Sequence, residues 1–413
     1  MKIKVVLVLI IISFGLFSCE KDEDGKYADY LVAKPLKITK AEFKEGVDII
    51  APMPIDESGK IYSYENYIFI NDKYKGVHVI DNTNPSSPKK IAFIKIAGNV
   101  DISVKDDYLY ADSITDLMVL DISNIQNIKI INRLENVLRD NVVWPAADFY
   151  EYGEIDYENE MIIGWETVTE RRLVEDYEER FGREIDVVFN METDASSVGQ
   201  GGSLARFKIV DDYLYAVDSH NINVFNIEDL GNPEDLEDVY AGFDIETIFN
   251  RGNYLFLGSM RGMYIYDITT PATPTFVSEF EHGTACDPVV VDGDYAYVTL
   301  RGGNECGATE SGLFIVDISD IANPVLEKTY PLEGPYGLGI KDEKLFICDG
   351  AAGLKVYDKT DVADLKQLNH FKNIDTFDVI PLENQLLMVG DEVLYQYEYL
   401  NNNIKLISTL ELN

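Results

Sequence analysis
Apolar and polar positions alternate with a period of two along most of the chain, in short runs separated by turn residues. That pattern predicts half-buried β-strands. One unit recurs. Its clearest mark is an apolar strand that ends in an acid or amide: residues 77–81, 117–121, 222–226, 263–267, 314–317, 354–358 and 394–398. The closing residues Asp81, Asp121, Asn226, Asp267, Asp317, Asp358 and Glu398 are spaced 40, 105, 41, 50, 41 and 40 positions apart. The period is about 40, with about 65 extra residues between the second and third copies and about 9 between the fourth and fifth.

Each copy is preceded by a turn and an aromatic-rich strand, as in Asp107-Tyr108-Leu109-Tyr110 and Asp294-Tyr295-Ala296-Tyr297. Another short apolar strand comes before that, such as Asp101-Ile102-Ser103-Val104. After the closing acid lies a turn, often with Asn-Pro (Asn84-Pro85, Asn232-Pro233, Asn323-Pro324), and then a fourth strand. Four short antiparallel strands per period specify a propeller blade. The expected fold is all-β: a seven-bladed β-propeller of four-stranded antiparallel blades with one large loop insertion. A helical solenoid would need a 3.6-residue period, which is not present. The closing acid has a structural role first, because its carboxylate can accept backbone N–H groups of the next turn.

Gly76-Val77-His78-Val79-Ile80-Asp81 and Gly312-Leu313-Phe314-Ile315-Val316-Asp317 resemble the core motif of the LVIVD-repeat family of bacterial and archaeal surface proteins. The resemblance spans roughly residues 60 to 400 through repetition. It implies a β-propeller and no particular activity, since the family has no shared catalytic motif to carry over.

The N-terminus reads as an address. Lys2 and Lys4 precede an apolar or small-residue run from Val5 to Phe17, which suits a signal peptide and is too short to span a bilayer. Leu16-Phe17-Ser18-Cys19 resembles the lipobox of bacterial lipoproteins, although Phe17 is bulkier than usual there. The resemblance implies acylation of Cys19 and removal of residues 1–18. The run Glu20-Lys21-Asp22-Glu23-Asp24-Gly25 resembles the acidic export tag of Bacteroidota-type lipoproteins and implies an outer-membrane anchor with display at the cell surface. A solvated acidic linker would look the same. Residues 19–59 are expected to be tether and linker, and residues 60–413 the propeller.

The chain has 413 residues, 35 Lys and Arg against 73 Asp and Glu, and a formal net charge of -38. Such a chain repels phosphate backbones, so nucleic acid is not an expected partner. Membrane contact is expected only through the lipid. No cofactor is expected. No zinc helix of His-Glu-x-x-His type and no Gly-x-Ser-x-Gly elbow occurs.

In a propeller the 4→1 and 2→3 connections share one rim. Both insertions fall there: about residues 134–203 between blades 2 and 3, and Arg301–Ser311 within blade 5. Loops gathered on one rim mark the expected binding face. Candidate rim residues are Lys60, Asp101, Arg206, Asp287 and Asp378 at the starts of inner strands, Gly337, and Trp144 and Trp165 in the insertion. The charged groups either bind a polar ligand or pair with one another. The tryptophans either anchor a partner or form the insertion's own core. Residues 169–182 offer a short helix. Cys286 and Cys306 flank the same blade and are expected to form a disulfide; a metal site of His282, Cys286 and Cys306 lacks an evident fourth ligand. Cys348 reads as a packed free thiol. The expected function is a surface-tethered binding module for a protein or glycan ligand; the alternative is a carbohydrate hydrolase or lyase working in the channel mouth.

Overall fold
The structure, a computed structural model, describes residues 27–138, 147–173, 200–281, 288–302, 311–390, 392–401 and 403–413. Cys19, Trp144, Cys286, Asp287 and Cys306 lie outside the described residues, as does His282. The body is a β-propeller. Seven antiparallel sheets follow one another along the described chain. Their inner strands are Ser58–Tyr64, Ile102–Lys105, Phe207–Val210, Ile245–Arg251, Val289–Asp292, Leu338–Lys341 and Asp378–Pro381. Each of these strands touches the next, and the seventh touches the first, so the ring is closed. Five sheets have the plain order of four strands, the first adds a strand at each edge, and the third splits its outer strand into Glu234–Asp235 and Val239–Tyr240.

The blades stack through their apolar faces. Ile61, Ile68 and Ile80 of the first blade pack on Leu387, Val389 and Leu394 of the seventh. Polar ties close the same seam: Gln396 Nε2 donates to Asn82 Oδ1 (2.8 Å) and Ser408 Oγ to the Pro85 carbonyl (2.6 Å).

The closing acids behave as expected. The carboxylates of Asp81, Asp121, Asp267, Asp317 and Asp358 each accept the backbone N–H two residues on, at 2.6–2.9 Å, and Asn226 does the same through its side-chain oxygen. Hydroxyls of Thr269, Ser123 and Thr360 donate to the same oxygens. Glu398 departs from the pattern, because its strand Val393–Leu400 runs on into a tight hairpin with Asn403–Glu411. Its carboxylate meets Lys405 instead (2.6 Å).

Two expectations are corrected. Residues 27–50, expected within a linker, form the long strand Tyr27–Thr39, the helix Lys40–Glu45 and the strand Asp48–Ile50. The helix is held by a capping box of Thr39 and Glu42. Asp48–Ile50 adds to the outer edge of the first blade. Residues 169–173, expected to begin a helix, close the strand Glu160–Leu173, which runs antiparallel to Tyr27–Thr39 along its length. With Phe149–Tyr150 these strands make a separate three-stranded sheet. β-branched and aromatic residues through residues 161–168 favour the strand over the helix.

Candidate functional site: the loop-bearing rim
Over blades 1 and 2 lies the accessory sheet. Phe43, Ala97 and Ile114 form a small core with Ile38, Met161 and Ile163, and the Arg133 guanidinium lies 4.3 Å from the Phe43 ring centre. Gly164 sits flush on the Tyr74 ring, where a Cβ would come within 2.3 Å. Trp165 is buried with Ala33 and Ala147, with Tyr150 and Tyr152 edge-on to it at 5.7 and 5.4 Å. It is core of the accessory sheet and presents no face to a ligand, which corrects its place among the rim residues.

The end of the insertion crosses the mouth of the ring. Gln200–Gly201 pairs with the inner strand of blade 1, and Gln200 Nε2 donates to the Pro381 carbonyl of blade 7 (3.1 Å). Leu338 N–H of blade 6 donates to Ser203 Oγ (2.8 Å), and Ile248 N–H of blade 4 to the Ala205 carbonyl (2.5 Å). The amides of Arg206 and Phe207 both donate to Asp101 Oδ2 of blade 2 (2.9 Å each). Residues 201–206 are buried. They act as a plug tied to five blades.

The plug changes the reading of the charged candidates. Lys60, Asp101 and Asp378 do converge, and Arg206 joins them through its backbone amide, but all four are buried, at 4%, 2%, 0% and 3% exposure. Lys60 Nζ lies 3.4 Å from Asp101 Oδ2. Arg206 Nε donates to the Val217 carbonyl (3.1 Å). The cavity between Lys60, Tyr62, Asn71 and Asp101 is about 10 Å³, room for one water at most. Gly337 and Gly202 lie against Asp378: a Cβ on Gly337 would fall 2.4 Å from Oδ1, and one on Gly202 1.8 Å from Oδ2. Val379 N–H donates to Asp378 Oδ1 (2.9 Å), and the Ser203 amide also acts on this buried carboxyl. Burial pushes the Asp378 carboxyl up to about 8, against the opposing pull of the Val379 amide and Lys60. Burial thus favours the neutral form of Asp378.

A second set of acids was legible in the sequence but not singled out. Asp72, Asp112 and Asp349 lie at or within one residue of the ends of the second strands of blades 1, 2 and 6, at the rim. Each clasps the incoming crossover. Asp112 Oδ1 accepts the Val100 and Asp101 amides (2.9 and 2.8 Å), Asp349 Oδ1 the Glu333 and Gly334 amides (3.0 and 2.8 Å), and Asp72 those of Asp56 and Glu57. Burial raises the Asp112 carboxyl to about 6. Asp349 pairs with Lys355, and Asp72 with His78 (3.3 Å). These buried pairs hold loops; they face no open space.

Over blades 3 and 4 the rim is different. The crossover after Val239–Tyr240 arches outward on hydrogen bonds from Ala241 N–H to the His220 carbonyl (2.8 Å), Ile245 N–H to the Ser219 carbonyl (3.2 Å) and Met260 N–H to the Asp244 carbonyl (3.1 Å). It carries Tyr240 and Phe243, exposed by 59% and 51%. Sequence reading missed both, because one aromatic in a crossover resembles any other.

Four stretches match the model of the LVIVD repeat: residues 57–92, 97–133, 247–281 and 282–331. The chain carries LVIVD repeats. The matches fall on blades 1, 2, 4 and 5, and the same strand order continues through blades 3, 6 and 7 without a match. No curated protein matches the chain. In structure it is similar to a protein from Lactobacillus plantarum, with 12% identity, a TM-score of 0.52 and coverage of 86% of this chain and 96% of that one. It also aligns with Hsv2p of Kluyveromyces lactis (12%, TM-score 0.49, 87% and 99% covered) and BamB of Moraxella catarrhalis (10%, TM-score 0.47, 90% and 99% covered). At these identities the likeness concerns the fold alone.

Proposed function
We propose that this LVIVD-repeat propeller is a lipid-anchored protein of the outer membrane, displayed at the cell surface, which binds a protein or glycan through its loop-bearing rim. The observation that carries the binding role is the pair Tyr240 and Phe243, half exposed side by side on a crossover fixed by backbone hydrogen bonds. Exposed aromatics on a rigid frame are the usual anchors of interfaces. A hydrolase or lyase in the channel mouth has less support, because its carboxylates Asp101 and Asp378 lie beneath the plug.

The anchor rests on Cys19 and the residues around it. Cys19→Ala is expected to move the protein from the detergent phase to the aqueous phase on phase partitioning. Retention of that variant in the detergent phase would refute the anchor. Protease added to intact cells is expected to cleave the full-length protein; complete protection would place it on the inner side of the membrane.

A further inference from the structure
We propose that the cleft beside Phe243 takes the arginine or lysine side chain of a protein partner. This deepens the rim-binding reading above and rests on it. The cleft has a volume of about 120 Å³ and is lined by Phe243, Arg261, Tyr264, Glu279, Phe280 and Glu281. Two features point to a cationic occupant, and a third fixes the place of one wall.

The first is the walls. Phe243 and Tyr264 line the cleft, and ring faces attract cations. The Phe243 ring is steadied by edge contacts from His220 and Tyr240, at 5.7 and 6.0 Å. Arg261, 5.7 Å from its centre, already shows a guanidinium using that ring.

The second is the charge. Arg261 Nε is 3.8 Å from Asp244 Oδ2, so its charge has a partner. Glu279 and Glu281 stand two residues apart on the outer strand of blade 4, on one face of it. Both are exposed, and among the described residues neither carboxylate has an ion pair or hydrogen bond. Among the described residues, the cleft thus sets two carboxylates without an ion pair next to two aromatic rings. The net charge of -38 draws cationic partners towards the molecule as a whole. A neutral sugar would use the rings but leave both carboxylates without an opposite charge.

The third is the backbone. Asp244 is held at φ 57° and Gly242 at φ 143°. A Cβ on Gly242 would approach the Tyr264 ring to 2.9 Å. Asp tolerates left-handed geometry in turns, and this crossover leaves Phe243 51% exposed.

The test titrates the full-length chain with a short glycine–arginine peptide and with the same peptide carrying citrulline, the neutral analogue of arginine. Ring resonances of Phe243 and Tyr264 report occupancy. The arginine peptide is expected to shift both rings saturably, and the citrulline peptide not. Phe243→Ala should weaken binding about threefold, and Glu279→Gln with Glu281→Gln about fivefold. Glu327→Gln with Glu383→Gln, which removes the same charge elsewhere, should leave it unchanged. Equal binding of the citrulline peptide, or equal weakening by the Glu327 and Glu383 pair, would overturn the proposal. Oligosaccharides shifting the rings while the arginine peptide is silent would overturn the cationic occupant and leave the rim reading standing. Rings silent to both kinds of probe would remove the cleft from either reading.

Discussion

At the scale of single residues, the buried titratable groups give this propeller a pH signature. Asp378 is raised from the ordinary value of about 4 to about 8 by burial. A raised carboxyl contributes stability in full below its unfolded value and loses it as pH climbs through the folded value. Asp112, raised to about 6, acts in the same direction over a narrower range. Lys208 is lowered to about 7 by burial and acts oppositely, adding stability only as pH rises above 7. Stability is therefore expected to fall between pH 4 and pH 7, and Asp378→Asn should flatten that slope in urea unfolding. An unchanged slope would mean that Asp378 is ionised in the fold. The same pocket tolerates no added carbon. Gly202→Ala brings a Cβ against the Asp378 carboxyl and is expected to cost about 1–3 kcal/mol by overpacking. An unfolding midpoint equal to that of the unmodified chain would show that the plug moves aside freely.

At the scale of elements, five blades repeat one acid for one turn. Hydrogen bonds from Thr83, Ser123 and Thr269 hold the carboxyls of Asp81, Asp121 and Asp267 below their usual value. A lowered carboxyl contributes stability above its unfolded value and loses it as pH falls through the folded one. Asp121→Ala should lower the midpoint at pH 7 and show a smaller deficit at pH 2. Asp121→Asn keeps an acceptor for the Ser123 amide and should recover most of the loss. A deficit independent of pH would assign the effect to packing. Strand Tyr27–Thr39 has its own dependence, because its partner Glu160–Leu173 comes from the insertion. Neither strand completes a blade, so neither is required for ring closure.

At the scale of the whole molecule, the insertion has two parts with different duties. Replacing residues 139–199 by a Gly-Ser linker removes the accessory sheet's inserted strands but keeps the plug. The ring should still unfold in one cooperative transition, since loop closure depends weakly on length. Extending the cut through Arg206 removes ties to five blades, with the Arg206 amide that donates to Asp101, and should lower the midpoint markedly. Equal effects of the two cuts would deny the plug a structural part. Removal of residues 378–413 takes away the seventh blade and strips the first of its apolar neighbour, so cooperative unfolding should be lost.

Repetition and period-two alternation made the blade, its four strands and the role of Asp121 and its counterparts legible, because these depend on contacts within one period. The convergence of Lys60, Asp101, Arg206 and Asp378 was also legible, since equivalent positions of successive blades meet at one rim. Whether that rim is open was not. Gly201–Arg206 fills it because of where the returning insertion runs, and no local pattern encodes that path. For the same reason Tyr27–Thr39 read as linker: its partner lies more than a hundred residues away. Trp165 and Phe243 are both aromatic, and their sequences alone do not tell core from surface. Burial by Ala33 and Ala147 decided the first, and an outward crossover held at Gly242 and Asp244 decided the second. Local pattern determined the repeating unit; long-range packing decided which of its polar and aromatic groups still meet solvent.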